Sequence, residues 1–158
     1  MPPPLILDPS SLDLTRCVAD HAAIERFNQH RHEFRLLDAI VFHDEQKGLI
    51  AGYHDVRSDA WWTRGHIPGR PLFPGVLMIE CAAQLSSYLY HFHIGKGEAF
   101  LGFTGVDHVK FRGIVEPPAR FVVVGRVIEL KRRRVISAVQ GFVGEHFVFE
   151  SEITGMLV

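Results

Sequence analysis

Residues 75–93 read GVLMIECAAQLSSYLYHFH. Apolar side chains run through this stretch with few interruptions. A run that long favours helix over strand. Pro74 suits the first turn, where a missing N–H costs nothing, and Gly95 suits the far end. At about 1.5 Å per residue, such a helix spans nearly 30 Å. A helix that is apolar nearly all round must be buried on most sides. The rest of the chain therefore has to wrap around it.

That remainder reads mostly as strands. Arg35 to His43 and Leu49 to Val56 form two, joined at Glu45–Gly48 with Gly48 as the turn residue. Beyond the helix come Phe100 to Phe111, Phe121 to Leu130, Val135 to Val143 and Phe147 to Val158. Lys131 to Arg134 marks one reversal, and Gly144-Glu145 marks a tight hairpin. Upstream, Leu14, Cys17, Val18, Ala22 and Ile24 predict a short helix within Leu12 to Phe27. Asp8 to Ser11 supplies turn and cap chemistry before it, and the PPP at positions 2 to 4 reads as an extended, solvated leader. The order is short helix, two strands, one long apolar helix, four strands. It implies an α+β class, with an antiparallel sheet of about six strands curved around a central helix. That is the hot-dog arrangement. Residues 1–27 form an N-terminal extension and residues 28–158 the hot-dog domain.

The chain's 158 residues suit one domain, and its 47% apolar and 22% charged composition is ordinary for a globular protein. A formal net charge of −1 gives no global field for nucleic acid. No apolar segment is long and uncharged enough to insert in a membrane. The N-terminus lacks the basic start and apolar stretch of a signal peptide. Cys17 and Cys81 show no metal or redox spacing, which points to a reducing compartment. A cytoplasmic protein is expected.

Within the helix, Glu80, Gln84, Ser87 and His91 fall at steps of four, three and four, on one stripe. The stripe is either a solvated face or the wall of a site. Its narrowness and its lack of Lys or Arg favour the second reading. A carboxylate there is partly desolvated, which favours its protonated form and suits it to donate a proton. His66 stands upstream among Gly65, Pro68, Gly69, Pro71 and Pro74, which restrict the backbone around it. It is one of ten histidines, and this rigid setting distinguishes it. Histidine suits proton abstraction near neutral pH. The helix start at Gly75 offers free N–H groups and no side chain to block a carbonyl. A base, an acid and an oxyanion site together can remove a proton α to an activated carbonyl while protonating a β leaving group.

The stretch GHIPGRPLFPGVLMIECAAQ, Gly65 to Gln84, resembles the GHFPGxPxxPGVLxxExxAQ signature of the hot-dog (3R)-hydroxyacyl-acyl-carrier-protein dehydratases of the FabZ type. HRHEFRLLD at 30–38 and FTGVDHVKFRGIVEP at 103–117 resemble two further segments of that family. The resemblance runs from about Asn28 to Met156. It implies dehydration of acyl thioesters on an acyl carrier protein in fatty acid or related acyl-chain synthesis. It also implies that His66 acts at the α-carbon, Glu80 at the leaving hydroxyl, the Gly75 amide on the thioester carbonyl, and Gln84 in orienting Glu80. His66 and Glu80 of one site would come from different subunits of a homodimer. Ile67 and Ala39 replace the family's usual Phe and Arg, Pro118-Ala119 replaces a Gly-Asp turn, and Gly102 falls where a gating tyrosine often stands.

Two other readings compete. A hot-dog acyl-thioesterase could use Glu80 to activate water, but would leave the His66 loop without a role. A non-catalytic acyl-binding or scaffold domain is also consistent with the fold. Arg64, Arg70 and Arg112 are candidate docking residues for an acidic carrier, and Lys131 to Arg134 is either a solvated turn or part of the same surface. His30/His32 and His91/His93 are weak metal candidates, lacking a carboxylate or thiolate beside them. The proposed chemistry needs no metal or cofactor.

Overall fold

Gly95, at φ +94°, stops the long helix, and its N–H bonds back to the His91 carbonyl. In the computed structural model, which describes residues 3–158, this helix is α2, Gly75–Ile94. The short helix α1 is His21–Glu25. Six strands follow the predicted order: β1 Ala39–Asp44, β2 Leu49–Val56, β3 Leu101–Phe111, β4 Ala119–Lys131, β5 Arg134–Val143 and β6 His146–Leu157. They form one antiparallel sheet in the order β1-β2-β4-β5-β6-β3. The hairpins lie where the turn residues place them, with Gly48 at φ +65° and Gly144 at φ +58°. Arg132-Arg133 forms the turn between β4 and β5.

The concave face of the sheet holds α2. Leu77, Cys81, Leu85 and Leu89 of the helix pack with Ile50, Phe121, Val123, Val139 and Ile153 of the strands, all buried. Gly125 lets Leu85 approach, since a Cβ there would stand 3.2 Å from it. The convex face has its own apolar layer of Val41, Ala51, Val122, Val124 and Phe142.

The N-terminal extension covers that second layer. Ile6, Leu7, Leu12 and Leu14 pack on it, the Ile6 N–H donates to Gln140 Oε1 at 2.8 Å, and Gln140 Nε2 donates to the Pro4 carbonyl at 2.9 Å. Of the extended, solvated leader expected over positions 2 to 4, Pro4 is exposed, though its carbonyl is bonded to the sheet; Met1 and Pro2 lie outside the described residues. The helix expected within Leu12 to Phe27 shrinks to α1, with Asp20 capping through the Ala23 N–H at 2.9 Å. Val18 and Ala19 instead bond to Ile40 of β1, so sheet partners satisfy backbone groups a helix would have used. Strand β1 begins at Ala39 rather than Arg35, because the Leu36 and Leu37 N–H groups bond to the Gln84 side chain of α2 rather than to a ladder partner.

Candidate active site

Glu80 and Gln84 lie one turn apart on α2. Gln84 is 1% exposed, and every polar atom of its side chain is used. Its Oε1 accepts from the Leu36 and Leu37 N–H groups, both at 3.1 Å. Its Nε2 donates to the Phe34 carbonyl at 2.8 Å and to Glu80 Oε1 at 3.0 Å. With its amide fixed on three sides by the 34–37 segment, Gln84 presents one N–H to the carboxylate. The stripe is therefore no solvated face: Gln84 and His91 are buried, while Glu80 and Ser87 border a cavity of about 90 Å³.

His30 is a partner the residue pattern did not reveal. Its Nε2 lies 3.2 Å from Glu80 Oε1. Its Nδ1 is sealed from solvent without a partner. A sealed N–H is the costlier orphan, so the ring proton belongs on Nε2, where the carboxylate receives it. His30 and Gln84 both converge on Oε1. The second oxygen, Oε2, takes no hydrogen bond from the described residues and is left for a ligand.

The 34–38 segment has its own anchors. His54 Nδ1 donates to the Leu36 carbonyl at 2.6 Å, and its ring stacks on Phe73. Asp38 accepts from His21 at 2.9 Å and from the Asp55 N–H at 2.7 Å, with His54 at 3.2 Å. Burial pushes the Asp38 carboxyl up, but His54, the Asp55 N–H and His21 outweigh it and hold it below its ordinary value. A chain of contacts thus runs from Asp38 through His54, Leu36 and Gln84 to Glu80.

The His66 loop is built differently. Pro68-Gly69 sits at the centre of a turn closed by the Arg70 N–H on the Ile67 carbonyl, and Gly69 at φ +86° fits its type II geometry. Ile67, β-branched and followed by proline, is held at φ +59°, a strained conformation that its surroundings must enforce. His66 Nδ1 donates to the Leu72 carbonyl at 2.8 Å, and the buried Trp62 meets its ring edge-on. A carbonyl only accepts, so the proton is on Nδ1 and Nε2 carries the lone pair of a base. The residue is exposed and does not border the cavity beside Glu80. Within one chain the structure brings Gln84 to Glu80, but not His66 into that cavity.

Gly75 opens α2 as expected, with Pro74 one position earlier, as the cap, and no side chain closing the helix end. The structure adds a reason for glycine here: a Cβ would stand 2.8 Å from the Phe111 ring. Of the candidate docking residues, Arg112 makes a two-pronged pair with Glu150 and Arg70 pairs with Glu116 at 3.2 Å. Arg64 is exposed beside His66 and pairs with no acid among the described residues. Lys131 and Arg134 both pair with Glu129, leaving Arg132 and Arg133 exposed. No group of three His, Cys, Asp or Glu fit to hold a metal occurs among the described residues. Cys17 is exposed and Cys81 buried, both free. No helix among the described residues is long and apolar enough to cross a membrane.

A FabA-like domain matches residues 28–152. The chain is 32% identical over 128 residues to a 3-hydroxyacyl-acyl-carrier-protein dehydratase FabZ of Desulfotalea psychrophila, covering 78% of this chain and 83% of that one. It is 33% identical to the FabZ of Moorella thermoacetica, covering 85% and 93%. The chain belongs to the FabZ-type hot-dog dehydratase family. Solved structures agree on the fold. A dehydratase heterocomplex of Xenorhabdus doucetiae superimposes with a TM-score of 0.73 at 11% identity, over 85% of this chain and 90% of that one. A Pseudomonas aeruginosa thioesterase does so at 0.68 and 16%, over 92% and 99%. At such identities these two speak for the fold only. The matched range 28–152 spans His30, His66, Glu80 and Gln84.

Proposed function

We propose that the protein dehydrates (3R)-hydroxyacyl thioesters, carried on acyl carrier protein, to trans-2-enoyl thioesters in acyl-chain synthesis in the cytoplasm. The observation that carries this reading is the Glu80 carboxyl. Its Oε1 is fixed by Gln84 and His30 and its Oε2 is free beside a cavity, in a chain of a dehydratase family. His66 Nε2 takes the proton from the α-carbon. The Gly75 N–H, uncapped at the start of α2, holds the thioester oxygen as negative charge builds there. Glu80 Oε2 gives its proton to the β-hydroxyl, which leaves as water.

The two groups meet across a homodimer. Strand β3 is one of the sheet's two edges, and it exposes Phe103, Val106 and Phe111, while Val76 at the start of α2 is 71% exposed. An edge this long and apolar is a template for pairing with a second strand. Pairing β3 with its copy brings the His66 loop of one protomer toward the cavity of the other. Arg64, on the same loop as His66, meets the acidic carrier, whereas Arg70 and Arg112 already pair with Glu116 and Glu150.

Incubation with crotonyl-acyl carrier protein tests the reading. Hydration to the 3-hydroxyacyl thioester without release of thiol is expected. Release of thiol would make the protein a thioesterase, and no reaction would make it a binder.

A further inference from the structure

Within one chain, Glu80 and His66 share a support. His54, half-buried on β2, makes two kinds of contact, one toward each of them. Toward Glu80 it works through a peptide bond. Its Nδ1 proton faces the Leu36 carbonyl at 2.6 Å and Asp38 Oδ2 at 3.2 Å. That carbonyl belongs to the planar peptide whose N–H, on Leu37, bonds to Gln84 Oε1 at 3.1 Å. The Gln84 amide in turn donates from Nε2 to Glu80 Oε1 at 3.0 Å. Donors and acceptors thus alternate from His54 to Glu80 through two rigid amides. Hydrogen bonds in such a chain polarise one another, so each strengthens the next.

Toward His66 it works through a ring. His54 stacks on the buried Phe73, with centroids 5.4 Å apart and planes at 30°. The Phe73 N–H bonds to the Val115 carbonyl at 2.8 Å. It belongs to the peptide whose carbonyl, on Leu72, takes the His66 Nδ1 proton. The Phe73 ring also meets Trp62 at 5.7 Å. Trp62 lies edge-on to the His66 ring, and its carbonyl accepts the His66 N–H at 2.8 Å. Phe73 therefore stands behind both contacts that aim the His66 ring. His54 and Phe121, paired across β2 and β4, are the rings packed on it from the sheet.

We propose that His54 is a positioning residue for both reacting groups, aiming Glu80 through the 36–37 peptide and Gln84, and His66 through Phe73. This deepens the dehydratase reading and rests on it. Where the two groups of one chain serve different sites of a dimer, each His54 supports half of both sites.

Two substitutions separate the arms. His54→Phe keeps a ring on Phe73 and removes the donor. His54→Asn keeps a donor near the place of Nδ1 and removes the ring. In hydration of crotonyl-acyl carrier protein, the first should lower kcat about tenfold, the worth of one hydrogen bond. The second should lower it about threefold to tenfold, the worth of an aromatic pair. KM should stay within about twofold in both, because His54 acts on the reacting groups and not on the bound substrate.

Mixed dimers distinguish aim from general damage. When a His66→Ala chain pairs with a Glu80→Ala chain, the intact site takes Glu80 from the first and His66 from the second. His54→Phe should slow that site only when placed in the His66→Ala chain, and His54→Asn only when placed in the Glu80→Ala chain. A loss that ignores placement overturns the proposal, and so does an unchanged kcat in both homodimers. Nuclear magnetic resonance of isotope-labelled protein separates this inference from the reaction. The Gln84 side-chain amide should shift in His54→Phe and stay in place in His54→Asn, and the His66 ring should do the reverse. No turnover by the wild type would sink the dehydratase reading, and no recovery in the parent mixture would sink the shared site. In either case the crossed pattern of shifts still decides: its presence supports the two roles of His54, and its absence refutes them.

Discussion

The Glu80 side of α2 and the His66 loop differ in where their bonds end. Around Glu80 everything closes within one chain: Gln84 is saturated, His30 is aimed, and the 34–38 segment is anchored by Asp38 and His54. At the His66 loop and the neighbouring β3 edge the bonds stop at the surface. Nε2 of His66 has no partner among the described residues, and Phe103, Val106 and Val76 stand in the open. The first region is a finished half-site that places an acid. The second is an unfinished half that needs a partner.

Removing either reacting group tests the pair itself. His66→Ala and Glu80→Gln should each lower dehydration by about a hundredfold to ten-thousandfold, with circular dichroism unchanged. Near-normal turnover in both variants would remove these residues from the chemistry.

A subunit-mixing experiment asks whether the halves belong to different chains. Inactive His66→Ala and Glu80→Ala homodimers, partially unfolded and allowed to reassort, should form mixed dimers in about half the pairs. In a mixed dimer one site carries both changes and the other neither, so about a quarter of wild-type activity should return. If mass spectrometry finds mixed dimers and activity stays at zero, each chain holds its own complete site.

The closed half makes a stability prediction. Gln84→Leu strands the Leu36 and Leu37 N–H groups and the Phe34 carbonyl in a buried place. Each orphan costs about 1–3 kcal/mol, so a loss of at least about 3 kcal/mol is expected in denaturant unfolding. A change below about 1 kcal/mol would mean that segment 34–37 is held by something else.

The smallest effect concerns pH. Asp38 sits below its ordinary pKa, so the stability it contributes is fully present above the unfolded value of about 3.9 and is lost as pH falls through the lower folded value. Asp38→Asn should therefore lower Tm at neutral pH, and the gap from wild type should narrow on acidification below about 4. A gap that widens on acidification would contradict the arrangement at His54 and His21.

The sequence made α2 legible because its signal is local: unbroken apolarity between Pro74 and Gly95. Glu80, Gln84 and His66 stood out for a similar reason, being chemistry-bearing residues in constrained or apolar settings. His30 escaped because its role exists only once the 28–38 segment folds over the start of α2, a contact between residues 50 positions apart. The second demand for glycine at position 75, the Phe111 ring that a Cβ would strike, comes from tertiary packing and has no local signal. Residues 121–124 read FVVV, an unbroken apolar run where a half-solvated strand would alternate. Such a run requires cover on both faces of the sheet, and the N-terminal extension supplies it. Leu12 and Leu14, inside the range predicted as helix, pack on that second face instead.

The N-terminal strap also bears on the order of folding. Ile6 and Pro4 bond to Gln140, a partner 134 and 136 positions later in the chain. Contacts of such separation form late, because a long loop must close before they are rewarded. The strap leaves the ribosome before the sheet it covers and docks after that sheet exists. Until then Val122, Val124 and Phe142 face water, and a nascent or truncated chain presents a sticky convex face to its neighbours. Pulse-labelled hydrogen exchange during refolding should show the Ile6 amide gaining protection after those of β4 and β5. Earlier protection at Ile6 would mean that the strap guides the sheet rather than sealing it.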